Sequence, residues 1–456
     1  MQVEEIAKNS QMIKSGKNLL GILNDIKRRP EDAANELEIP LNEITDIIEG
    51  KKPLTSDLVK KAIKIWPVNE RDFYIIQDDC PLGVKMMSAD DSKKSSRIMD
   101  RAGKPYYEYR DTAMSTVAPF RPEWILELCI VNDNDPLNPN VQWNNGHFMH
   151  QFTYFIGDVN FYYRNSDGEK KVAVMNTGDS MYITPFTPHT FTTRKGSKEH
   201  GLILALTYGG KLTGDIQQEL SGLSVELGSN FALDFSSKES ASASLIQYHR
   251  SIANLSINEL SKRTSISVDD LNSFENTSKI PSFSQIESMA NALTINIRDL
   301  LPNDKIEEKV IVSHHENGNT WFFPEDTKTY QFRELASTTA LPFSKAFEIS
   351  VLKSENSELD LESGLHQYVY NVGKNPIKLN WEFGNVKHDE IIRPNDSLYL
   401  KPFIKHGFSG DGKLLVLRIG GKIAGDSQRE LSVVGKKNAQ RAISETMQWF
   451  DPKGKN

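Results

Sequence analysis

TYGGKLTGDIQQELS at 207–221 returns as RIGGKIAGDSQRELS at 418–432, and this echo decides how the chain is built. Outward from it, SMYITPFTPHTF (180–191) returns as SLYLKPFIKHGF (397–408) and HQFTYFIGD (150–158) as HQYVYNVGK (366–374). Earlier still, YEYRDTAMSTVAPF (107–120) pairs with YQFRELASTTALPF (330–343). The order of segments is kept while the offset drifts, so loop insertions separate two copies of one domain set. Copies more than 200 residues apart exclude a solenoid, whose repeats are a few tens of residues long.

Each copy opens on a helical region. In the second, LSINELSKRTSISVDDLNSFENTSKIPSFSQIESMANAL (255–293) sets apolar residues at helical spacing, with Ser and Thr at the caps and breaks at Thr264–Ser267 and Asn276–Pro281. It resembles the helix-turn-helix domain of small repressors, and residues 28–66 are a looser version. The recognition helices would carry Glu43, Asp46 and Glu49 in one copy and Asp269, Asp270 and Glu275 in the other. Carboxylates facing phosphates repel, so a retained scaffold is favoured over DNA reading. After each helical region the pattern changes to short alternating strands with Gly, Pro, Asn and Asp turns: WILELCIVND, HQFTYFIGDVNFYYR, KVAVMNTGDSMYITP, GLILALTYGG. The expected fold class is α+β, a tandem duplication of an all-α helix-turn-helix-like domain followed by a β-barrel domain. The expected boundaries are 1–78, 96–222, 245–302 and 310–436, with SSKESASAS (236–244) as the linker between halves.

Composition excludes several classes. The 456 residues are 38% hydrophobic, enough for sizeable cores. Their 54 basic and 61 acidic residues leave a net charge of -7, which argues against nucleic acid as a partner. No apolar run approaches the ~20 residues that cross a bilayer, and MQVEEIAKNSQ lacks a signal-peptide core. Cys80 and Cys129 cannot make a disulfide framework or a four-thiolate metal site. A cytoplasmic protein without membrane partners is expected, as a homo-oligomer.

Chemistry gathers in the first β region. NNGHFMHQF supplies His147, His150 and Gln151, and TPFTPHTF supplies His189. These pieces resemble the two motifs of the cupin fold, a His-bearing strand and then Gly178, a Pro-rich turn and a His, with Pro188 where a Gly is often seen. His147 and Gln151 share strand parity. Four residues of straight strand span ~13 Å, so the strand has to bend for both to reach one metal. The usual carboxylate of an iron site is absent: the position four after His147 is Gln151, and the one six before His189 is Ile183. Two neutral imidazoles and an amide would leave Fe(II) its full charge, favouring an anionic substrate, and would keep three positions open for a bidentate substrate and O2. The bland alternative makes Gln151 a strand amide and the histidines structural. The second copy keeps Gln367 and His406 but has Ser363 opposite His147, Asp360 opposite Asn144 and Phe332 opposite Tyr109, a poor iron site. His150, kept there as His366, reads as structural.

On these residues the chain resembles the mononuclear non-haem iron enzymes that act on phosphonates, and the similarity covers nearly all of it. Within that family the His-x3-Glu pattern of the epoxidase is met by His147-x3-Gln151 with Gln for Glu, whereas the dioxygenase's Glu falls on Ile183. The resemblance implies metal ligands His147, Gln151 and His189, and substrate contacts at Lys27, Arg101, Tyr109, Asn144 and, more weakly matched, Thr207. Lys27 would also act as a mobile catalytic cation; by its residues alone it reads as a solvated lysine, and Arg101 as a surface ion-pair former. The implied reaction is Fe(II)- and O2-dependent C–C cleavage of 2-hydroxyethylphosphonate to methylphosphonate and bicarbonate or CO2, without 2-oxoglutarate. Rival outcomes are hydroxymethylphosphonate plus formate, a cupin-sensor regulator that binds DNA, or a cupin isomerase or decarboxylase with another metal.

Overall fold

The computed structural model describes residues 2–118, 120–208, 212, 214–302, 309–339, 341 and 343–444; residues 209–211 and 213 of the first repeat quoted above, and Pro119, Ala340 and Pro342 of the fourth pair, lie outside them. Two compact units result, one running to Arg164, over Lys170–Tyr208 and from Val310 onward, the other comprising Asn165–Glu169 and Gly209–Lys309. No helix among the described residues is long and apolar enough to cross a membrane.

The first helical region runs through helices Gln2–Asp25, Pro30–Glu36, Leu41–Ile48 and Ser56–Ile65. Pro30 stands at the start of its helix, where its missing N–H costs nothing, and the Thr55 hydroxyl accepts from Leu58 N. Leu19, Leu23, Ile44, Ile47, Val59 and Trp66 close the core between them. In the second helical region Ser237, Ser256, Ser267 and Ser282 each cap a helix: Lys238–Ile252, Ile257–Thr264, Val268–Glu275 and Phe283–Leu293. The expected Ser-rich linker is therefore mostly helix. Ser237 starts it, and the small Ala241, Ser242 and Ala243 are buried, so the serines cap and pack rather than loosen the chain. The acidic side chains expected to repel DNA are largely paired, Asp46 with Lys52 at 3.4 Å, Asp270 with Lys279 at 2.8 Å, and Glu275 with Arg250 through two bonds of 2.6 and 2.8 Å.

Among the described residues the strands form four sheets. In the first half, a seven-stranded sheet packs its Phe155 and Ile203 against Phe161, Met175 and Phe191 of a four-stranded sheet. The second half repeats this with a seven- and a three-stranded sheet around Val369, Leu379, Ile392 and Phe408. The other faces of the two seven-stranded sheets meet in a tyrosine-rich core that includes Tyr154, Tyr182 and Tyr208 from one half and Tyr368, Tyr370 and Tyr399 from the other.

The halves also trade strands. Val84–Met87 pairs antiparallel with Ser397–Leu400 of the second half, and Val310–Ser313 pairs with Ser180–Ile183 of the first. Residue 310, expected to open the second β domain, thus completes the sheet of the first. Each exchanged strand covers what would otherwise be an open sheet edge.

Glu348, only 4% exposed, braces this joint: it accepts from Tyr154 Oη at 2.9 Å, His315 Nε2 at 3.0 Å and Lys413 Nζ at 3.0 Å. Burial alone would push its carboxyl up, but hydrogen bonding and charge from His315 and Lys413 outweigh this and hold it below its ordinary value. A carboxyl depressed by folding adds stability above its unfolded value, near 4.3 for Glu, and loses it as pH falls through the folded value. Glu348→Gln is expected to cost about 2 kcal/mol at pH 7, a gap that closes below about pH 4. Urea unfolding at pH 7 and pH 3 checks this; an equal gap at both would overturn it.

Candidate metal centre and substrate pocket

Between the seven- and four-stranded sheets of the first half lies a cavity of about 170 Å³. Seven of the eight residues singled out from sequence line it: Arg101, Tyr109, Asn144, His147, Gln151, His189 and Thr207. Lys27 does not. It sits in the turn after the first helix at φ 59°, exposed, with Nζ donating to Asp25 O at 2.7 Å.

The bend required between His147 and Gln151 is present. The strand begins only at His150, residues 148 and 149 bend, and His147 stands on the loop before them. Gly146 makes this possible, with φ +77° and so close to the next motif that a Cβ would lie 2.5 Å from the Phe186 carbonyl carbon. Phe186 N then donates to His147 O at 2.8 Å, tying the two motifs together.

Hydrogen bonds set the direction of each ring. His147 Nδ1 lies 2.9 Å from Met149 O and His189 Nδ1 lies 2.8 Å from Thr187 O. A carbonyl only accepts, so both Nδ1 atoms carry protons and, in the neutral rings, both Nε2 atoms keep lone pairs. Burial pushes His189 down to about 3, so it is neutral at physiological pH. Gln151 is buried; its Nε2 donates to Thr153 Oγ1 at 2.9 Å and its Oε1 faces His147 Nε2 at 3.0 Å. The His147 and His189 rings stand edge to face with centroids 5.1 Å apart. Two imidazole nitrogens and an amide oxygen thus face one cavity, and His147 Nε2 and Gln151 Oε1 stand close enough to share either a proton or one metal ion. Among the described residues no three His, Cys, Asp or Glu form such a group, so a metal here depends on the amide. The donor set of two nitrogens and one oxygen suits a divalent first-row metal.

Around these donors Asn144 Oδ1 accepts from Gly146 N and His189 N, both at 2.9 Å, which leaves its NH2 toward His189 Nε2 at 3.2 Å. Arg101 is not the surface ion-pair former its residues alone suggested. Its guanidinium donates to Gln142 O at 2.8 Å and Thr190 Oγ1 at 3.1 Å and lies over the Tyr107 ring at 4.6 Å. Burial pushes the Tyr109 hydroxyl up to about 12, so it stays a donor at neutral pH. Thr207 is the cross-strand neighbour of Gln151 on one side and Ile183 on the other, so the two places where a third ligand could stand are adjacent strands of one sheet. Tyr107, Glu123, Ile125, Phe191 and Ala205 also line the cavity and were missed. Strand parity with Tyr109 and Thr207 was the signal for Tyr107 and Ala205. His150 turns away to pair with Tyr182, as His366 does with Tyr399 at 2.7 Å.

In the second half the frame persists without the full donor set, Ser363 standing where His147 does. Phe403 N donates to Ser363 O at 2.7 Å, as Phe186 does to His147, and His406 Nδ1 lies 2.8 Å from Ile404 O. Arg418, at the place of Thr207, donates through Nε to Gln367 Oε1 at 2.9 Å, so a buried guanidinium holds the amide oxygen there.

No family model matches the chain. Among solved structures it superposes with TM-score 0.88 and 35% identity on Streptomyces albus 2-hydroxyethylphosphonate dioxygenase, solved with 2-hydroxyethylphosphonate and Fe(II) bound, over 97% of this chain and 99% of that one. A further 2-hydroxyethylphosphonate dioxygenase structure, at 19% identity and TM-score 0.74 over 93% and 99% of the two chains, shares the fold. The first of these matches, near-complete in both chains, puts the chain among the non-haem iron oxygenases. Over 448 residues, 98% of each sequence, it is 63% identical to the methylphosphonate synthase of Nitrosopumilus maritimus (strain SCM1). The chain belongs to the methylphosphonate synthase family.

Asn144→Ala removes the acceptor of two backbone N–H groups and is expected to lower stability by about 2 kcal/mol, while Asn144→Asp, which keeps an oxygen there, loses less. Urea unfolding of both variants checks this ordering.

Proposed function

We propose that the chain cleaves the C–C bond of 2-hydroxyethylphosphonate in an Fe(II)- and O2-dependent reaction, giving methylphosphonate and bicarbonate. The observation that carries this is the convergence of His147 Nε2, His189 Nε2 and Gln151 Oε1 on one small cavity, together with the 63% identity to a methylphosphonate synthase. The sum balances: one 2-hydroxyethylphosphonate and one O2 contain the atoms of methylphosphonate, bicarbonate and a proton. The electrons come from the substrate, so 2-oxoglutarate has no part.

His147, Gln151 and His189 would hold Fe(II), which when bound supplies a Lewis acid and a redox centre for O2. All three ligands are neutral, so they leave the dication for an anionic substrate to neutralise. The rest is positioning. Tyr109 Oη and the Asn144 NH2 donate to phosphonate oxygens, Thr207 adds a hydroxyl, and Arg101, fixed by Gln142, Thr190 and Tyr107, supplies fixed positive charge at the cavity wall. Ile125, Phe191 and Ala205 keep the walls dry. Ile183, fully buried beside Gln151, fills the position a carboxylate ligand would take. Lys27 lies outside its own cavity, so a role for it as mobile cation would need it to arrive either by movement of its own turn or from a second copy of the chain in a homo-oligomer. We read the architecture as two helix-turn-helix-like plus cupin pairs at 1–78 with 96–222 and 245–302 with 310–436, the second β domain structural, in a cytoplasmic protein whose partner is a small phosphonate.

Anaerobic loading with Fe(II), then 2-hydroxyethylphosphonate and O2, followed by 31P NMR, tests the reading. A methylphosphonate signal is expected; hydroxymethylphosphonate would shift the assignment to the dioxygenase outcome, and no turnover with iron bound would overturn both. His147→Ala and Gln151→Ala are each expected to weaken Fe(II) retention at least about tenfold and abolish product, as measured by anaerobic titration against a competing chelator.

A further inference from the structure

The geometry points to Thr153 as the positioning residue that makes the Gln151 amide usable as an oxygen ligand; the inference rests on the reading of Gln151 as a ligand. A carboxylate has an oxygen at both ends, but an amide ligand must turn its NH2 away from the metal. Gln151 is 4% exposed, so water cannot take up those N–H groups. A buried donor left unpaired costs about 1–3 kcal/mol, enough to disfavour the ligating orientation unless an acceptor stands behind it.

Thr153 is that acceptor. It lies two residues along the same strand face, fully buried, and its Oγ1 takes the Gln151 Nε2 hydrogen bond at 2.9 Å. Its cross-strand neighbours are Ala205 and Met181, with Phe155 next on its own strand face, so packing gives no reason for a hydroxyl. The second half shows the arrangement without it. There Val369 occupies the equivalent position between Val416 and Leu398. Gln367 Nε2 is buried with no hydrogen-bond partner among the described residues, and its Oε1 is held by Arg418. The half that needs the amide oxygen free has the hydroxyl; the half that has given the oxygen to an arginine has a valine.

The test uses the full chain, titrated anaerobically with Fe(II) against a chelator, and the unfolding temperature of the metal-free protein. Thr153→Val is expected to weaken Fe(II) binding at least about tenfold with the metal-free unfolding temperature little lowered, since without metal the Gln151 amide can turn its NH2 toward His147 Nε2 and the fold already accepts valine at Val369. Thr153→Ser, which keeps the hydroxyl, is expected to bind within about threefold of the parent. Unaltered Fe(II) affinity in Thr153→Val would overturn the inference while leaving the ligand reading intact. So would equal losses in both variants accompanied by lower unfolding temperatures, the mark of a merely structural role. A parent chain that binds no Fe(II) would remove the ligand reading itself, and the inference with it.

Discussion

The exchange of strands between the halves is the constraint on which the rest depends. Ser180–Ile183 is flanked by Val310–Ser313 on one side and by the strand bearing Gln151 on the other. The Gln151 strand lies in the interior of its sheet, fixed by Ile183 and Thr207 across its two neighbours, and the borrowed strand takes the edge position beyond Ser180–Ile183, so the neighbour that carries Ile183 is itself paired on both sides. On the reading proposed above, a ligand on an interior strand has its direction set by ladders on both sides, which would suit a site that holds three neutral donors without the attraction a carboxylate would add. The tyrosine core between the two seven-stranded sheets and the Glu348 cluster seal the same joint from the inside.

Comparison of the halves separates frame from chemistry. The backbone bond between the two motifs, the imidazole anchored to a carbonyl two residues before it and the histidine–tyrosine pair on the opposite face occur in both. They serve the fold. What differs are side chains aimed into the space between the sheets: His147 against Ser363, Thr153 against Val369, Thr207 against Arg418, Tyr109 against Phe332. Burial brings the Arg418 guanidinium down to about 10, yet it remains a cation, so the second half still holds positive charge against the Gln367 oxygen. The two halves thus satisfy one electrostatic demand with different ions, a metal in the first on the reading above and a guanidinium in the second.

Much of this was legible in the sequence because it rests on local pattern. The repeat gave the duplication, alternation gave most strands of the first β region, and the wrong span for a straight strand implied the bend that residues 148 and 149 make. Four-residue strands such as VKMM and VIVS carry no sign of their partners, and pairing across some 130 to 310 residues is a property of tertiary packing alone. The Ser-rich stretch misled because composition reports flexibility on average, while Ser237 acts at one helix-starting position. Thr153 escaped notice because a threonine in a strand is ordinary until the atom it accepts from is known.

The exchanged strands also bear on synthesis. A ribosome releases the chain from its N-terminus, and domains usually fold as they emerge. Here the sheet that carries Gln151 stays short of its edge strand until residues 310–313 have been made, after the whole second helical region. Val84–Met87 waits longer still, for residues 397–400. The half with the chemistry is therefore made first but finished late, and its assembly is tied to the arrival of a half that, on the reading above, performs none.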